Sequence, residues 1–127
     1  MKKIINTNDA PAAVGPYSQG YVAGNFLFVS GQIPFDPKTN ALVSSDVAIQ
    51  TKQSLDNILA IVKEAGFEKE DIVKCQIFLS DMNNFAIINE VYASFFGSHK
   101  PARAAVEVSR LPKDVDVEID AICYRAG

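Results

Sequence analysis

The chain has 127 residues, 48% of them hydrophobic and 21% charged, which suits one globular domain spanning residues 1–127. Twelve Lys and Arg against fifteen Asp and Glu give a formal net charge of −3, so no basic field exists to attract nucleic acid. No apolar run reaches membrane-spanning length and no apolar signal-peptide core follows the basic start, so a soluble cytoplasmic protein without membrane contact is expected.

Two strands are predicted near the N-terminus, over residues 17–23 and 26–32, joined by a short turn that contains a glycine. The apolar pair at 4–5 is compatible with a further short strand. Residues 26–29, Phe-Leu-Phe-Val, are apolar on both faces and predict a central strand that is buried on both sides. This strand ends in a polar Ser-Gly-Gln, and the prolines and asparagine within 34–40 predict a loop.

The first helix is predicted over residues 46–65. Its apolar residues recur at three- and four-residue spacing, with Ser45-Asp46 available to cap its start and Gly66 its end. A second helix is predicted from about residue 84 to 96. Asp81 or Asn83 is predicted to cap its start, and Gly97 to end it.

Asn89 interrupts the apolar stripe of the second helix, four residues after Phe85 and three before Tyr92. The remaining stripe residues are Ile88, Phe95 and Phe96. A buried polar side chain must be hydrogen-bonded or functional. Asn89 is therefore either a satisfied core amide or a residue of a binding site.

Strands are also predicted over residues 72–79, 103–109 and 117–124, with a loop at 110–114. The order β-β-α-β-α-β-β, with hairpins at both ends, predicts an α+β fold: one mixed sheet with both helices packed on one face. The other face would then be bare. A second copy of the chain is the simplest cover for it, so self-assembly is expected.

Charged residues lie within the last two predicted strands. Arg103 shares its face with Glu107, and Glu118 sits among Val117, Ile119 and Ile122. One interpretation is a structural cross-strand ion pair, from Arg103 to either glutamate. The other is a divided site, in which the guanidinium grips a substrate carboxylate and the carboxyl orients water or moves a proton.

The residues that usually carry metal or thiol chemistry are few. Cys75 and Cys123 lie in apolar strand-like runs and are predicted to be buried, reduced thiols. His99, the single histidine, lies in a polar link and is predicted to be solvated. Neither a metal-ligand spacing nor a nucleotide-binding motif is present, so no metal and no cofactor are expected.

Three blocks of sequence carry a resemblance to a known family: GPYSQG at 15–20, SGQIP at 30–34, and PARAAVEVSRLPKDVDVEI at 101–119. With these blocks the chain resembles the reactive intermediate deaminases, the Rid or YjgF-type family, and most of all its RidA subgroup. The intervening spacing also fits, so the similarity covers nearly the whole chain.

The resemblance implies a chorismate-mutase-like homotrimer with its sites in clefts between subunits. It implies cofactor-free hydrolysis of enamine and imine intermediates, such as 2-aminoacrylate from pyridoxal-phosphate enzymes, to 2-keto acids and ammonia. Arg103 matches the arginine that binds the substrate carboxylate, and Glu118 matches the acid that activates water. Positions that line the pocket are matched by Tyr17, Ser30, Gly31 and Asn89.

One departure concerns the run Arg-Ser-Cys-Val that is usual in the family. Here it is Arg-Ala-Ala-Val, with Ala105 in place of the pocket cysteine, so thiol-based activities are not expected. Three alternatives to the deaminase stay open: RNA cleavage or inhibition of translation, non-catalytic binding of 2-keto acids, and chaperone-like holding of unfolded proteins. Glu118 distinguishes the deaminase from a protein that only binds carboxylates, because a negatively charged residue beside Arg103 would not help to bind a negatively charged ligand.

Overall fold

A computed structural model describes the whole chain, residues 1–127. The elements in chain order are β1 (Lys2–Ile5), β2 (Gly20–Ala23), β3 (Phe26–Gln32), β4 (Phe35–Asp36), β5 (Ala41–Leu42), α1 (Val47–Glu64), β6 (Ile72–Leu79), α2 (Phe85–Phe96), β7 (Ala102–Glu107) and β8 (Val117–Tyr124). Neither helix combines the length and the apolar composition that a membrane crossing needs.

Six strands form one mixed sheet in the order β1-β2-β3-β8-β6-β7, and β4 pairs with β5 in a separate hairpin. All neighbours in the large sheet are antiparallel except β6 and β7, which are parallel. The predicted α+β fold is confirmed. The predicted C-terminal hairpin is wrong, because β6 lies between β7 and β8 and pairs with both.

Most element boundaries agree with the sequence prediction, and the differences have local causes. β2 begins at Gly20 instead of residue 17, because residues 17–19 belong to a segment that the Gln19 side chain holds in place. The stretch 34–40 is not only a loop, since it contains β4 and turns into β5 at Asn40, which has a positive φ of 55°. β7 ends at residue 107 and not at 109.

Both helices begin and end close to the predicted residues. The Asp46 carboxylate caps α1 by accepting a hydrogen bond from the Ile49 amide (3.1 Å), which satisfies a free N–H of the first turn. A single turn of 3-10 helix, Met82–Asn84, precedes α2. Gly97 follows α2 with a φ of 65°, a conformation that glycine adopts without steric cost.

The hydrophobic core lies between the sheet and the two helices. The strand residues that face the helices alternate with exposed ones, as a half-buried sheet requires. In β8 the residues buried on that side are Val117, Ile119, Ala121 and Cys123. Each fully buried Leu, Ile or Val contributes roughly 1.5–3 kcal/mol. The prediction that both helices pack on one face is therefore confirmed.

The opposite face of the sheet carries no helix and is rich in aromatic side chains. In β3, Leu27 and Val29 are buried but Phe26 and Phe28 are 43% and 46% exposed. The predicted burial of this strand on both sides is therefore wrong for a single chain. The large apolar side chains of this open face are Ile4, Tyr21, Phe26, Phe28, Phe78, Val106, Ile122 and Tyr124.

Candidate functional site

A β-bulge at the end of β3 brings its backbone against Glu118. Val29 faces Ala121 and Gln32 faces Ile119, so two residues of β3 stand opposite a single residue of β8. One of the two is Gly31, where an added Cβ would lie 2.9 Å from the Glu118 Cδ, closer than real contacts of that kind. Only glycine leaves room for the carboxyl group in this position.

Glu118 lies on the open face of the sheet and is half-buried. Burial raises its pKa above the ordinary value of a glutamate, and the nearby charge of Asp120 raises it further. A carboxyl whose pKa is shifted toward neutrality accepts and releases protons more readily near pH 7. The surroundings of Glu118 therefore suit a proton-transfer group.

A cavity of about 590 Å³ opens beside the Glu118 carboxyl group. Tyr17 and Gly31, two of the residues predicted to line a pocket, line it together with Glu118. Ser30, also predicted to line the pocket, precedes Gly31 and does not line this cavity. Its hydroxyl donates a hydrogen bond to the Ser18 carbonyl (2.5 Å), which connects β3 to the segment that contains Tyr17. Much of the remaining lining is apolar: Pro11, Ala12, Val14, Ile33, Phe35 and Pro112.

Gln19 holds the N-terminal wall of this cavity. Its buried side chain accepts a hydrogen bond from the Thr7 amide (2.7 Å) and donates to the carbonyl oxygens of Thr7 (3.0 Å), Ala10 (3.3 Å) and Pro11 (2.8 Å). One amide thus satisfies four backbone groups of a segment that has no regular structure of its own. Without it, these buried groups would be costly.

Two amides of α1 hold neighbouring segments in the same way, and one of these segments lines the cavity. Gln50 bonds the backbone N–H (2.9 Å) and the carboxylate (3.1 Å) of Asp116, just before β8. Asn57 donates to the carbonyl oxygens of Ile33 (3.2 Å) and Phe35 (3.0 Å), just after β3. Sequence reasoning missed Gln19, Gln50 and Asn57. For Gln50 and Asn57 the available signal was the run of polar residues at helical spacing on the buried side of α1; Gln19, outside any helix or strand, offered no such signal.

Arg103 lies on the other side of the sheet. In the parallel pairing of β6 and β7 it is aligned with Cys75, whose side chain faces the helices. The Arg103 Nη1 donates to the Asn89 Oδ1 (2.6 Å), and the guanidinium lies 5.0 Å from the Tyr92 ring centre and 5.4 Å from that of Phe85. Asn89 is half-buried, and its Oδ1 is satisfied by Arg103.

The structure separates the two charged residues within one chain. β6 lies between their strands, and Glu118 is aligned with Phe78 on the open face while Arg103 is aligned with Cys75 on the helix face. The interpretation as a structural ion pair is contradicted, because Arg103 pairs with neither Glu118 nor Glu107. The Glu107 carboxylate instead accepts a hydrogen bond from the Met82 amide (2.7 Å). A single chain does not bring the two together.

The two cysteines and the single histidine are the remaining residues with reactive side chains. Cys75 and Cys123 are buried and free, as predicted, and burial raises their pKa values to about 11 and about 12. Ala105 is half-buried two residues from Arg103 on the same side of β7. The prediction that His99 is solvated is wrong: it is half-buried, and its Nε2–H donates to the Ile72 carbonyl (2.7 Å). No three His, Cys, Asp or Glu side chains converge on a point.

Comparison with known proteins gives consistent matches along the chain. A family model described as endoribonuclease L-PSP matches residues 7–125. A RutC family protein of Pyrococcus horikoshii is 58% identical over 125 residues, covering 98% of this chain and 99% of the relative. A protein of Escherichia coli K12 named 2-iminobutanoate/2-iminopropanoate deaminase is 54% identical over 128 residues, with 98% and 99% coverage.

Solved structures match equally well. The structure of E. coli TdcF with bound serine superposes with a TM-score of 0.94 at 50% identity, covering 98% of this chain and 99% of that one. The YjgF gene product of E. coli superposes with a TM-score of 0.94 at 53% identity and the same coverage. The fold and about half of the aligned residues are thus shared along nearly the full length.

Proposed function

The chain belongs to the Rid or YjgF-type family, whose model carries the description endoribonuclease L-PSP, and on that premise we propose that it is a 2-iminobutanoate/2-iminopropanoate deaminase. A relative with that name is 54% identical over 98% of the chain. The proposed enzyme is a cytoplasmic hydrolase that acts on the C–N bond of enamine and imine intermediates and needs no cofactor.

The observation that carries the proposal is the Glu118 carboxyl group, held against the Gly31 bulge at a partly apolar cavity. Burial and Asp120 raise its pKa, so it is a better base than an exposed glutamate. In the proposed reaction it takes a proton from water as the water attacks the imine carbon. Tyr17, Ser30 and Gly31 form the surroundings of the reacting atoms.

The proposed reaction balances without a cofactor. 2-Aminoacrylate tautomerises to 2-iminopropanoate, and the water oxygen bonds to the imine carbon while the nitrogen gains a proton. The resulting carbinolamine breaks its C–N bond, releases ammonia and leaves a 2-keto acid. An imine of this kind already hydrolyses in water, so positioning, a carboxylate anchor and one proton-transfer group are sufficient.

Arg103 is the proposed carboxylate anchor. Its planar fork of N–H groups matches a carboxylate in a bidentate manner, which a lysine does not reproduce. The family supports a ligand of this class, since TdcF has been solved with bound serine. Asn89 completes the Arg103 part of the site.

The separation of Arg103 from Glu118 leads us to place the complete site between two copies of the chain. One copy contributes Tyr17, Ser30, Gly31 and Glu118, and the next contributes Asn89 and Arg103. The open face, with Phe26, Phe28 and Tyr124 exposed, supplies the apolar area that such an assembly buries. We propose a homotrimer, and light scattering that gives the 13.8 kDa monomer at micromolar concentration would contradict it.

A coupled assay tests the proposed activity. A serine dehydratase generates 2-aminoacrylate, and the appearance of the 2-keto acid is followed with and without this protein. We expect faster appearance at unchanged dehydratase concentration, and the same rate after dialysis against EDTA. No acceleration with an intact assembly would refute the deaminase. Loss of activity with EDTA would refute its independence of metal.

RNA cleavage is the second candidate, because the family model is described as an endoribonuclease. The formal net charge of −3 gives no electrostatic attraction to a phosphate backbone. The one histidine is occupied with the Ile72 carbonyl. We therefore expect single-stranded RNA to remain intact under conditions in which the coupled assay proceeds.

A further inference from the structure

Arg103 occupies an exposed position on an edge strand, where a side chain of this length is normally mobile. β7 has a neighbour on one side only, and Arg103 is exposed in the chain. A free arginine loses much of its rotamer freedom when it grips a ligand, and that loss weakens binding. The contacts that limit its freedom beforehand therefore bear on affinity.

Three residues of α2 contact the guanidinium and lie at helical spacing on one face. Phe85, Asn89 and Tyr92 stand at positions i, i+4 and i+7, which a helix places in one stripe. The two rings lie 5.4 Å and 5.0 Å from the Arg103 Cζ, a distance suited to cation–π attraction. Asn89 adds one charge-assisted hydrogen bond of 2.6 Å.

These contacts use only part of the guanidinium. Nη1 donates to Asn89, whereas Nε and Nη2 donate to no group of the chain. Nε and Nη2 form one edge of the planar fork, with two parallel N–H bonds available for two carboxylate oxygens. The fixed part and the unused edge thus belong to one rigid group.

Tyr92 contributes its ring and not its hydroxyl group. The Tyr92 hydroxyl is buried beside the Cys75 thiol and makes no hydrogen bond of ordinary geometry, while the ring packs against Phe96 at 4.8 Å and contacts Arg103. A phenylalanine at this position would keep both ring contacts. A leucine would keep the apolar character with a smaller volume and would lose the π face that attracts the cation.

We propose that Phe85, Asn89 and Tyr92, together the α2 platform, are positioning residues that fix the Arg103 guanidinium before the substrate arrives. They act through Arg103 and bind a carboxylate only by way of it. This inference rests on the proposed function for the identity of the ligand. That the Arg103 side chain is ordered in the absence of ligand rests on the geometry alone.

The first arm of the test measures the free protein, without ligand. The ¹⁵N{¹H} NOE of the Arg103 Nε reports its motion on the picosecond–nanosecond scale. We expect a value typical of ordered groups in the unchanged protein and in Tyr92→Phe, and a lower one in Asn89→Ala and Tyr92→Leu. The Arg110 Nε, bonded to Asp114, is the internal control, because none of these substitutions changes its contacts and its value should stay the same. Phe95→Leu, a buried ring of α2 without an Arg103 contact, controls for loosening of the helix.

The second arm is a double-mutant cycle on affinity for 2-oxobutanoate, measured by calorimetry. Asn89→Ala is expected to weaken binding about three- to tenfold in the unchanged background, and to have no further effect in Arg103→Ala. An equal effect in both backgrounds would mean that Asn89 contacts the ligand itself, and the inference would fail. A mobile Arg103 Nε in the unchanged protein would also overturn it.

The two arms separate this inference from the proposed function. If the coupled assay shows no acceleration while Arg103 is ordered by the α2 platform, the deaminase fails and the positioning stands. If the assay succeeds while Arg103 is mobile in the free protein, the deaminase stands and the positioning fails.

Discussion

The Glu118 region and the Arg103 region are held in place by different kinds of structure. Glu118 rests on a backbone bulge at Gly31, and the loops around it are fastened by buried amides of Gln19, Gln50 and Asn57. Arg103 stands on an edge strand and is held only by side chains of one helix.

This difference fits the two proposed roles. A proton-transfer group must keep its productive position to within about 0.5 Å, and backbone geometry provides that accuracy. A carboxylate anchor tolerates small displacements, and an ordered but adjustable side chain suffices for it. We therefore expect changes near Glu118 to alter turnover, and changes near Arg103 to alter affinity.

The largest expected effect is that of Glu118→Gln, which is nearly isosteric but cannot accept a proton. Turnover should fall by about a hundredfold or more, while affinity for 2-oxobutanoate stays unchanged or increases because a negative charge is removed. Rates from the coupled assay and affinities from calorimetry check both parts. Full turnover combined with easier unfolding would make Glu118 structural and would favour the carboxylate-binding module.

Arg103→Ala should show the opposite division. Affinity for 2-oxobutanoate should fall roughly ten- to a hundredfold, because a charge-assisted contact is worth about 1.5–3 kcal/mol. Arg103→Lys should recover only part of this, since it keeps the charge and loses the planar fork. Arg125→Ala is the matched control, because its contacts with the Gly66 carbonyl and the Asp71 carboxylate lie outside both regions. If Arg103→Ala instead lowered turnover and left affinity unchanged, as expected for Glu118→Gln, the two regions would not have the different roles proposed here.

A smaller effect is expected from Gly31→Ala, which tests the bulge. The new Cβ would meet the Glu118 carboxyl group, so Glu118 must move or the strand must shift, at a cost of about 1–3 kcal/mol. We expect roughly tenfold slower turnover and a lower denaturation midpoint. In a Glu118→Ala background the same change should destabilise less, because the clash is gone. Equal destabilisation in both backgrounds would show that the crowding does not involve Glu118.

The sequence predicted the elements better than it predicted their arrangement. Helical spacing and capping residues located α1 and α2, and alternation located β6 and β8, because these signals are local. The insertion of β6 between β7 and β8 is a pairing of distant segments, and nothing in either strand encodes it. Alternation assigns residues to faces within one strand, but the relation of Arg103 to Glu118 depends on that pairing.

The candidate site shows the same limit. Asn89 was recognised as an irregularity on an apolar stripe, yet its partner lay fourteen residues further on. Gln19, Gln50 and Asn57 gave even less signal, because most of their partners are backbone groups of loops and any loop sequence offers those. The aromatic residues of β3 predicted burial on both sides, but Phe26 and Phe28 are exposed in a single chain, because burial by another copy leaves no signal that sequence periodicity separates from burial in the core.

The smallest expected effect is a shift in pH dependence, and it concerns the Glu118 region alone. Burial and the charge of Asp120 raise the pKa of Glu118. Asp120 itself is aligned with Gln76, and Lys74 and the Gln76 backbone partly offset the effect of burial on the Asp120 pKa.

If Glu118 is the base, kcat/KM falls as the pH drops through its pKa, so the acid limb of the profile should lie above the ordinary range of a glutamate. Asp120→Asn removes one cause of the raised pKa and should move that limb to lower pH. The raised pKa of Glu118 also affects stability. A carboxyl whose pKa is higher in the folded state favours folding at low pH, and this contribution is lost as the pH rises. Asp120→Asn should therefore flatten the decline of the denaturation midpoint with rising pH. Asp56→Asn, an exposed carboxylate of α1 paired with Lys52, is the matched control. A shift of the limb to higher pH in Asp120→Asn, with assembly verified by light scattering, would assign the titration to another group.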